Sequence, residues 1–257
     1  MLILLHGIGD SNLPFKTFSE KIQLPETVCI SVRAPTPLPF DLGGYHWGDD
    51  ILIDERTGEM DLDTGFTKST PLIMDELIQK CLVGKCGYKL REILLFGFGQ
   101  GGMVALDVAA RLEHGVQQQQ PSKPFKPSPL TGGSLSMGST DHKLSDATGD
   151  ASKDYNLPNE LGGVISIGGY TPHTTPPPKK GKYKTSILLC KAQNMSNIKS
   201  HHIDRLKDLF EHVEVSNWKK IGDSMPANRD EMLPIMQFLG KRLRSMRGVP
   251  EGSVELA

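Results

Sequence analysis

The sequence predicts an α/β fold: a mostly parallel sheet with helices on both faces and one disordered insertion. Short apolar runs of strand length alternate with longer segments of helical period, and glycine-rich turns follow the strands. One long stretch breaks the pattern, with no apolar period of either kind. Alternation of this sort implies crossover connections between parallel strands, which place helices on both faces. A chain of 257 residues has room for one such domain with a large core.

Each element has its own signal. Leu2-Ile3-Leu4-Leu5 is a buried-strand run that ends at the turn-prone His6-Gly7-Ile8-Gly9-Asp10. Any edge strand before it is expected to be missing. Pro14 to Ile22 carries Phe15, Phe18 and Ile22 on one helical face, and the β-branched, apolar Thr27 to Val32 reads as a strand. Arg33 to Asp50, rich in Pro and Gly, reads as a long loop. Pro71 to Leu82 is helical through Leu72, Met74, Leu77, Ile78 and Cys81, and Arg91 to Phe96 is a strand followed by a small-residue helix over Met103 to Glu113. Strands are then expected at Gly163 to Ile167, Ser186 to Cys190 and His212 to Trp218, with helices at His201 to Glu211 and Asp230 to Met246.

Val116 to Leu157 does not belong to this series. It holds Gln117 to Gln120, several prolines and Ser/Thr/Gly/Asp clusters, and it lacks the apolar surface needed to offset the entropy of ordering. The division expected is a split domain, 1–115 and 158–247, around an insertion over 116–157, with a tail over 248–257. The insertion reads as a solvated loop, a docking segment for a protein partner or a modification target.

Composition excludes several classes of function. A net charge of -1 gives no handle for nucleic acid or an anionic membrane. No apolar run approaches the ~20 residues of a membrane span, and Met1 to Leu5 is too short for the core of a signal peptide. Cys29, Cys81, Cys86 and Cys190 have neither CxxC spacing nor partner histidines, so no metal site or cofactor is expected. They read as reduced thiols of a cytoplasmic protein.

The chemistry-bearing stretch is Gly97-Phe98-Gly99-Gln100-Gly101-Gly102, between a strand and a helix. It has the outline of a nucleophile elbow, G-x-S-x-G, with glycine at the centre. The turn holds its middle residue in a strained conformation, and small flanking residues let strand and helix pass closely. Glycine at position 99 relaxes strain on the order of 1–3 kcal/mol and removes the side-chain oxygen.

These residues carry a family resemblance. Leu4-Leu5-His6-Gly7-Ile8-Gly9-Asp10-Ser11 resembles the L-H-G-x-G-D-[ST] loop of the acyl-protein thioesterase and phospholipase/carboxylesterase family of α/β-hydrolases. Arg33-Ala34-Pro35-Thr36 is similar to its A-P-T segment, Trp47 with Asp49 to its W-x-D, Gly97 to Gly102 to its G-F-S-Q-G-G, and Ile165 to Tyr170 to its L-S-G-Y strand end. The resemblance implies an α/β-hydrolase-like fold, oxyanion-type backbone amides at Ile8 and Gln100, and a triad whose three seats are altered. The nucleophile position is Gly99. The acid position falls in Ala192 to Ile198, nearest Met195, with Asn194 or Ser196 after a shift of one. The base position is Asp223, in Gly222-Asp223-Ser224. A Ser-His-Asp machine needs a nucleophile, an imidazole and a carboxylate to orient it, and none stands in its seat.

Other candidates read as structural. His6 anchors its loop, and His46 and Trp47 are candidates to line the cleft. His201 and His202 open a helix about 100° apart on its surface. Cys190 ends a buried strand, and Lys241 to Arg247 is a solvated helix end. Three functions stay open. The first is a pseudo-hydrolase that holds an acyl or lipid ligand, a lipidated protein or another partner in its cleft. The second is a carboxylic-ester or palmitoyl-protein thioester hydrolase with atypical residues. The third is a scaffold subunit of a complex.

Overall fold

In the computed structural model, the described residues are 1–39, 42–56, 58, 60–119 and 160–243, with 116–119 described as backbone only. The chain starts with β1 (Leu2–Leu5), α1 (Asn12–Ile22) and β2 (Cys29–Val32). Ser11 caps α1 by accepting the Leu13 amide. Two small ladders follow, β3 (Thr36–Pro37) with β4 (Tyr45–His46) and β5 (Leu52–Ile53) with β6 (Met60–Asp61). Short antiparallel pairing therefore interrupts the loop expected over 33–50. A turn of helix, α2 (Ser69–Pro71), runs on into a π-wound helix over Leu72–Lys85, whose end is closed by the Cys86 amide donating to the Cys81 carbonyl five residues back.

The second half is more regular: β7 (Leu94–Phe98), α3 (Gln100–Gln119), β8 (Gly163–Ile167), β9 (Ile187–Asn194), α4 (Ser200–Leu209), β10 (Val213–Ile221) and α5 (Arg229–Arg242). The helix α3 continues through Val116–Gln119, four residues into the stretch read as insertion. A helix already propagating adds a hydrogen bond for each residue fixed, so polar glutamines can extend it. The rest of that stretch, 120–157, and the tail over 248–257 lie outside the described residues.

The six main strands form one sheet in the order β10-β9-β8-β7-β1-β2, parallel at every pairing. Side chains alternate between its faces. Ile3, Leu5, Leu95, Val164 and Leu189 pack against α3, α4 and the π-wound helix on one side. Leu2, Leu4, Phe96, Ile165, Ile167 and Cys190 pack against Phe15 of α1 and Ile235, Phe238 and Leu239 of α5 on the other. With both faces buried, the strands read as continuous apolar runs, as a covered parallel sheet requires.

Candidate functional site at the carboxyl edge of the sheet

Five loops converge at the carboxyl ends of the strands: those after β1, β7, β8, β9 and β10. The sharpest is the turn from β7 into α3. Gly99 stands at its apex with φ +52, donating its amide to the Ile167 carbonyl (2.8 Å) and accepting from the Met103 amide (3.1 Å). The helix begins at Gln100, so position 99 has the positive φ of a strained elbow. The turn is tight on every side but one. A Cβ on Gly97 would strike the Gly101 carbonyl, and one on Gly101 would strike the carbonyls of Leu5 and His6. At Gly99 a Cβ would meet only the Gly7 Cα, at 3.9 Å, so the apex has room for a side chain and carries none.

The loop after β1 is tied down from behind. Ala34 donates to His6 Nε2 (3.0 Å), so the imidazole proton lies on Nδ1, which donates to the Gly7 carbonyl (2.7 Å). Burial lowers the His6 pKa and keeps the ring neutral. The Trp47 indole donates to the His6 carbonyl (2.7 Å), the Trp47 amide to Gln100 Oε1 (3.0 Å), and Ser69 Oγ to the Trp47 carbonyl (2.5 Å). Trp47 is fully buried and His46 is 3% exposed, so both brace the loops behind the elbow and neither lines an open cleft. Their neighbours explain this placement, since short pairing of β3 with β4 draws the segment inward. The backbone amides of Ile8 and Gln100 form no hydrogen bond with another described residue. Amides left free beside the apex can receive a carbonyl oxygen.

At the same edge of the sheet, Asp223 faces the end of β9 and the loop after it. Its Oδ1 accepts the Ala192 amide (2.8 Å), and its Oδ2 accepts the Ser196 hydroxyl (2.9 Å) and the Asn197 amide (2.9 Å). Met195 projects into solvent, 82% exposed and with φ +53, so it faces no neighbour across the gap. Gly168 and Gly169 join the two walls: a Cβ on the first would lie 2.6 Å from the Asp223 Cβ, and one on the second would strike the Gly99 carbonyl.

One cluster beside the loop after β8 was not legible in the sequence. Tyr170 follows Gly169 and stacks on His202 at 3.9 Å. His202 accepts the Lys199 amide at Nδ1 (3.2 Å). Burial and the neighbouring His201 and His173 push its pKa down to about 4, so it is a neutral acceptor. His201 stays exposed. Asp63, whose neighbour Leu62 accepts from Gln100 Nε2 (3.3 Å), takes the His173 amide (2.7 Å) and lies 3.9 Å from the His173 ring. Burial raises its pKa. No periodic signal marks Asp63, His173 or Tyr170, because loop packing rather than local pattern brings them together.

Among the described residues no group of His, Cys, Asp and Glu has the arrangement of a metal site, and no helix is long and apolar enough to cross a membrane. Cys190 is buried and its thiol pKa is pushed up to about 12, which leaves it inert at neutral pH. A cavity of about 700 Å³ lies at the opposite, amino-terminal edge of the strands, lined in part by Met1, Thr27, Glu92, Gly162 and Leu239. It is remote from the elbow.

Comparison with known proteins agrees with this architecture. Residues 1–118 match the Phospholipase/Carboxylesterase family. An uncharacterized hydrolase of Schizosaccharomyces pombe is 27% identical over 248 residues, covering 95% of this chain and 83% of its own length. Among solved structures, a variant of Arabidopsis thaliana SOBER1 superposes with a TM-score of 0.56 at 18% identity, covering 95% of this chain and 99% of its own. Zea mays acyl-protein thioesterase 2 gives 0.54 at 17% identity, covering 95% and 93%. With the elbow, the loop after β1 and the parallel sheet in place, this chain has an α/β-hydrolase-like fold, and its residues 1–118 are similar to the Phospholipase/Carboxylesterase family.

Proposed function

We propose that this chain is a catalytically degenerate member of that family, a pseudo-hydrolase that acts by binding in the old cleft. The observation that carries the reading is the apex of the elbow: Gly99 has the backbone of a nucleophile seat and no side chain. The base position supports it. A carboxylate stands there in place of an imidazole, and both oxygens of Asp223 already hold donors, three in all. The free amides at Ile8 and Gln100 would still receive the carbonyl of an acyl group. The ligand class that fits is an acyl or lipid chain, or a lipidated protein, in the cytoplasm, where four unpaired thiols are at home.

Similarity to the family favours a second reading, a carboxylic-ester or palmitoyl-protein thioester hydrolase with atypical residues; a scaffold role through the insertion is a third. Hydrolysis of a short-chain ester and of a palmitoyl thioester by the purified wild type separates the first reading from the second. Turnover near the no-enzyme rate is expected. Robust turnover that survives purification controls would overturn the pseudo-hydrolase reading.

A further inference from the structure

The loops after β9 and β10 are stitched together at the carboxyl edge of the sheet. The Gly222 amide donates to the Asn194 carbonyl (2.9 Å), and the Asp223 carboxylate reaches back to Ala192, Ser196 and Asn197. The sequence leaves Asn194, Met195 and Ser196 as alternatives for the acid position. Geometry separates them. Asn194 and Met195 are exposed, whereas Ser196 is buried and points its hydroxyl at residue 223. Ser196 Oγ also accepts the Ile198 amide (3.0 Å), which fixes its direction.

We propose that positions 196 and 223 are the paired acid and base seats of this cleft, filled here with the hydrogen-bond polarity reversed, so that Asp223 is a positioning residue that clasps the β9 loop. The proposal rests on the pseudo-hydrolase reading above. In the triad that the family resemblance implies, a carboxylate on the loop after β9 would accept the N–H of an imidazole on the loop after β10. Here the carboxylate comes from the β10 loop, and the donors come from the end of β9 and the loop after it. The gap is bridged, one negative charge is kept, and the wall holds its shape with no imidazole. Clasp and catalysis exclude each other, because the oxygens that hold the loop are the ones a base would need free.

The register is tested with three triple variants, each carrying Gly99→Ser and Asp223→His, with the third change Asn194→Asp, Met195→Asp or Ser196→Asp. The Ser196→Asp triple is expected to hydrolyse a short-chain ester on the order of tenfold or more faster than the other two. Its rate should rise with pH through about 6.5, as an imidazole base loses its proton. Equal or greater activity from either other triple, or no activity from a folded Ser196→Asp triple, overturns the register. If the triples do not fold, the double variant Ser196→Asp/Asp223→His is titrated by NMR. Its imidazole should titrate above that of Asp223→His alone, and identical titrations overturn the pairing.

The clasp has a separate readout in the wild-type background. Amide exchange at Ala192 and Asn197 should quicken by about tenfold or more in Asp223→Ala, with partial rescue in Asp223→Asn, which keeps one acceptor oxygen. Unchanged exchange overturns the clasp. Wild-type ester hydrolysis would overturn the pseudo-hydrolase reading and leave the exchange result standing, so the two failures are distinguishable.

Discussion

Gly99 and Gly101 stand two residues apart and should answer differently to an added side chain. At Gly99 the space is open and only the positive φ opposes a substituent. Gly99→Ser should fold, at a cost of about 1–2 kcal/mol in chemical denaturation, and give almost no ester turnover because no base reaches it. At Gly101 the obstacle is the backbone of Leu5 and His6, which the central sheet does not let move. Gly101→Ala should therefore lose roughly 3 kcal/mol. Titration at single residues gives a further expectation. Burial lowers the pKa of His6, His46 and His202, the last to about 4. In the window from those lowered values up to about 6.5 the unfolded chain binds more protons than the folded one. Stability from these rings is thus present above about 6.5 and lost as pH falls through their folded pKa values. Asp63 and Glu113, whose pKa values burial raises, act in the opposite sense and favour the folded state at low pH. A comparison of variants isolates the ring. His202→Phe keeps a planar partner for Tyr170 and removes the proton, so its Tm should fall less than the wild type's between pH 6.5 and 4.

Elements differ in how much of their stability is local. The helix α5 starts at Asn228, whose side chain accepts the Glu231 amide (3.0 Å), with Asp230 and Glu231 in the first turn. Asn228→Ala should cost about 1 kcal/mol in thermal or urea unfolding, and Asn228→Gly only a few tenths. The opposite extreme is the segment after α3. Residues 120–157 show no apolar period, so their contribution to the core is expected to be small. Joining 119 to 158 by a short Gly/Ser linker should shift Tm by less than about 2 °C. A loss of many degrees would show that this segment packs on the domain.

Across the whole molecule, the two halves of the sequence share one sheet. The strands β1, β2 and β7 precede residues 120–157, β8, β9 and β10 follow them, and the seam is the β7–β8 pairing from Leu94 with Gly163 to Phe98 with Ile167. The family match ends at residue 118, inside α3, but that stretch is not a unit that could stand alone. Cut there, β7 would present a full unpaired edge, and α3 would lose the β8 side of its packing. A fragment of residues 1–119 should show no cooperative unfolding transition by circular dichroism, and co-expression with 158–257 should restore one. Cooperative unfolding of the fragment by itself would refute the shared-core account.

The strands, the elbow and the placement of most helices were legible because each depends on residues near in sequence. Leu2 to Leu5 is apolar throughout and Gly163 to Ile167 is apolar but for Ser166, because both faces of a parallel strand are buried, and the glycines of 97–102 mark a turn whose sterics are local. Boundaries moved where capping, helix propagation or continued pairing extended an element, as at Ser11, at Gln119 and in β9, which runs on to Asn194. The interior positions of His46 and Trp47, the Asp223 clasp, the choice of Ser196 and the stacking of Tyr170 on His202 were decided only by tertiary structure. Each joins loops far apart in the chain, and no periodicity records which loop faces which. The sequence by itself determined that the elbow exists and that its apex bears no side chain. Only the folded chain decided where the carboxylate of Asp223 points, because hydrogen bonds between loops are set by how the strands beneath them pack.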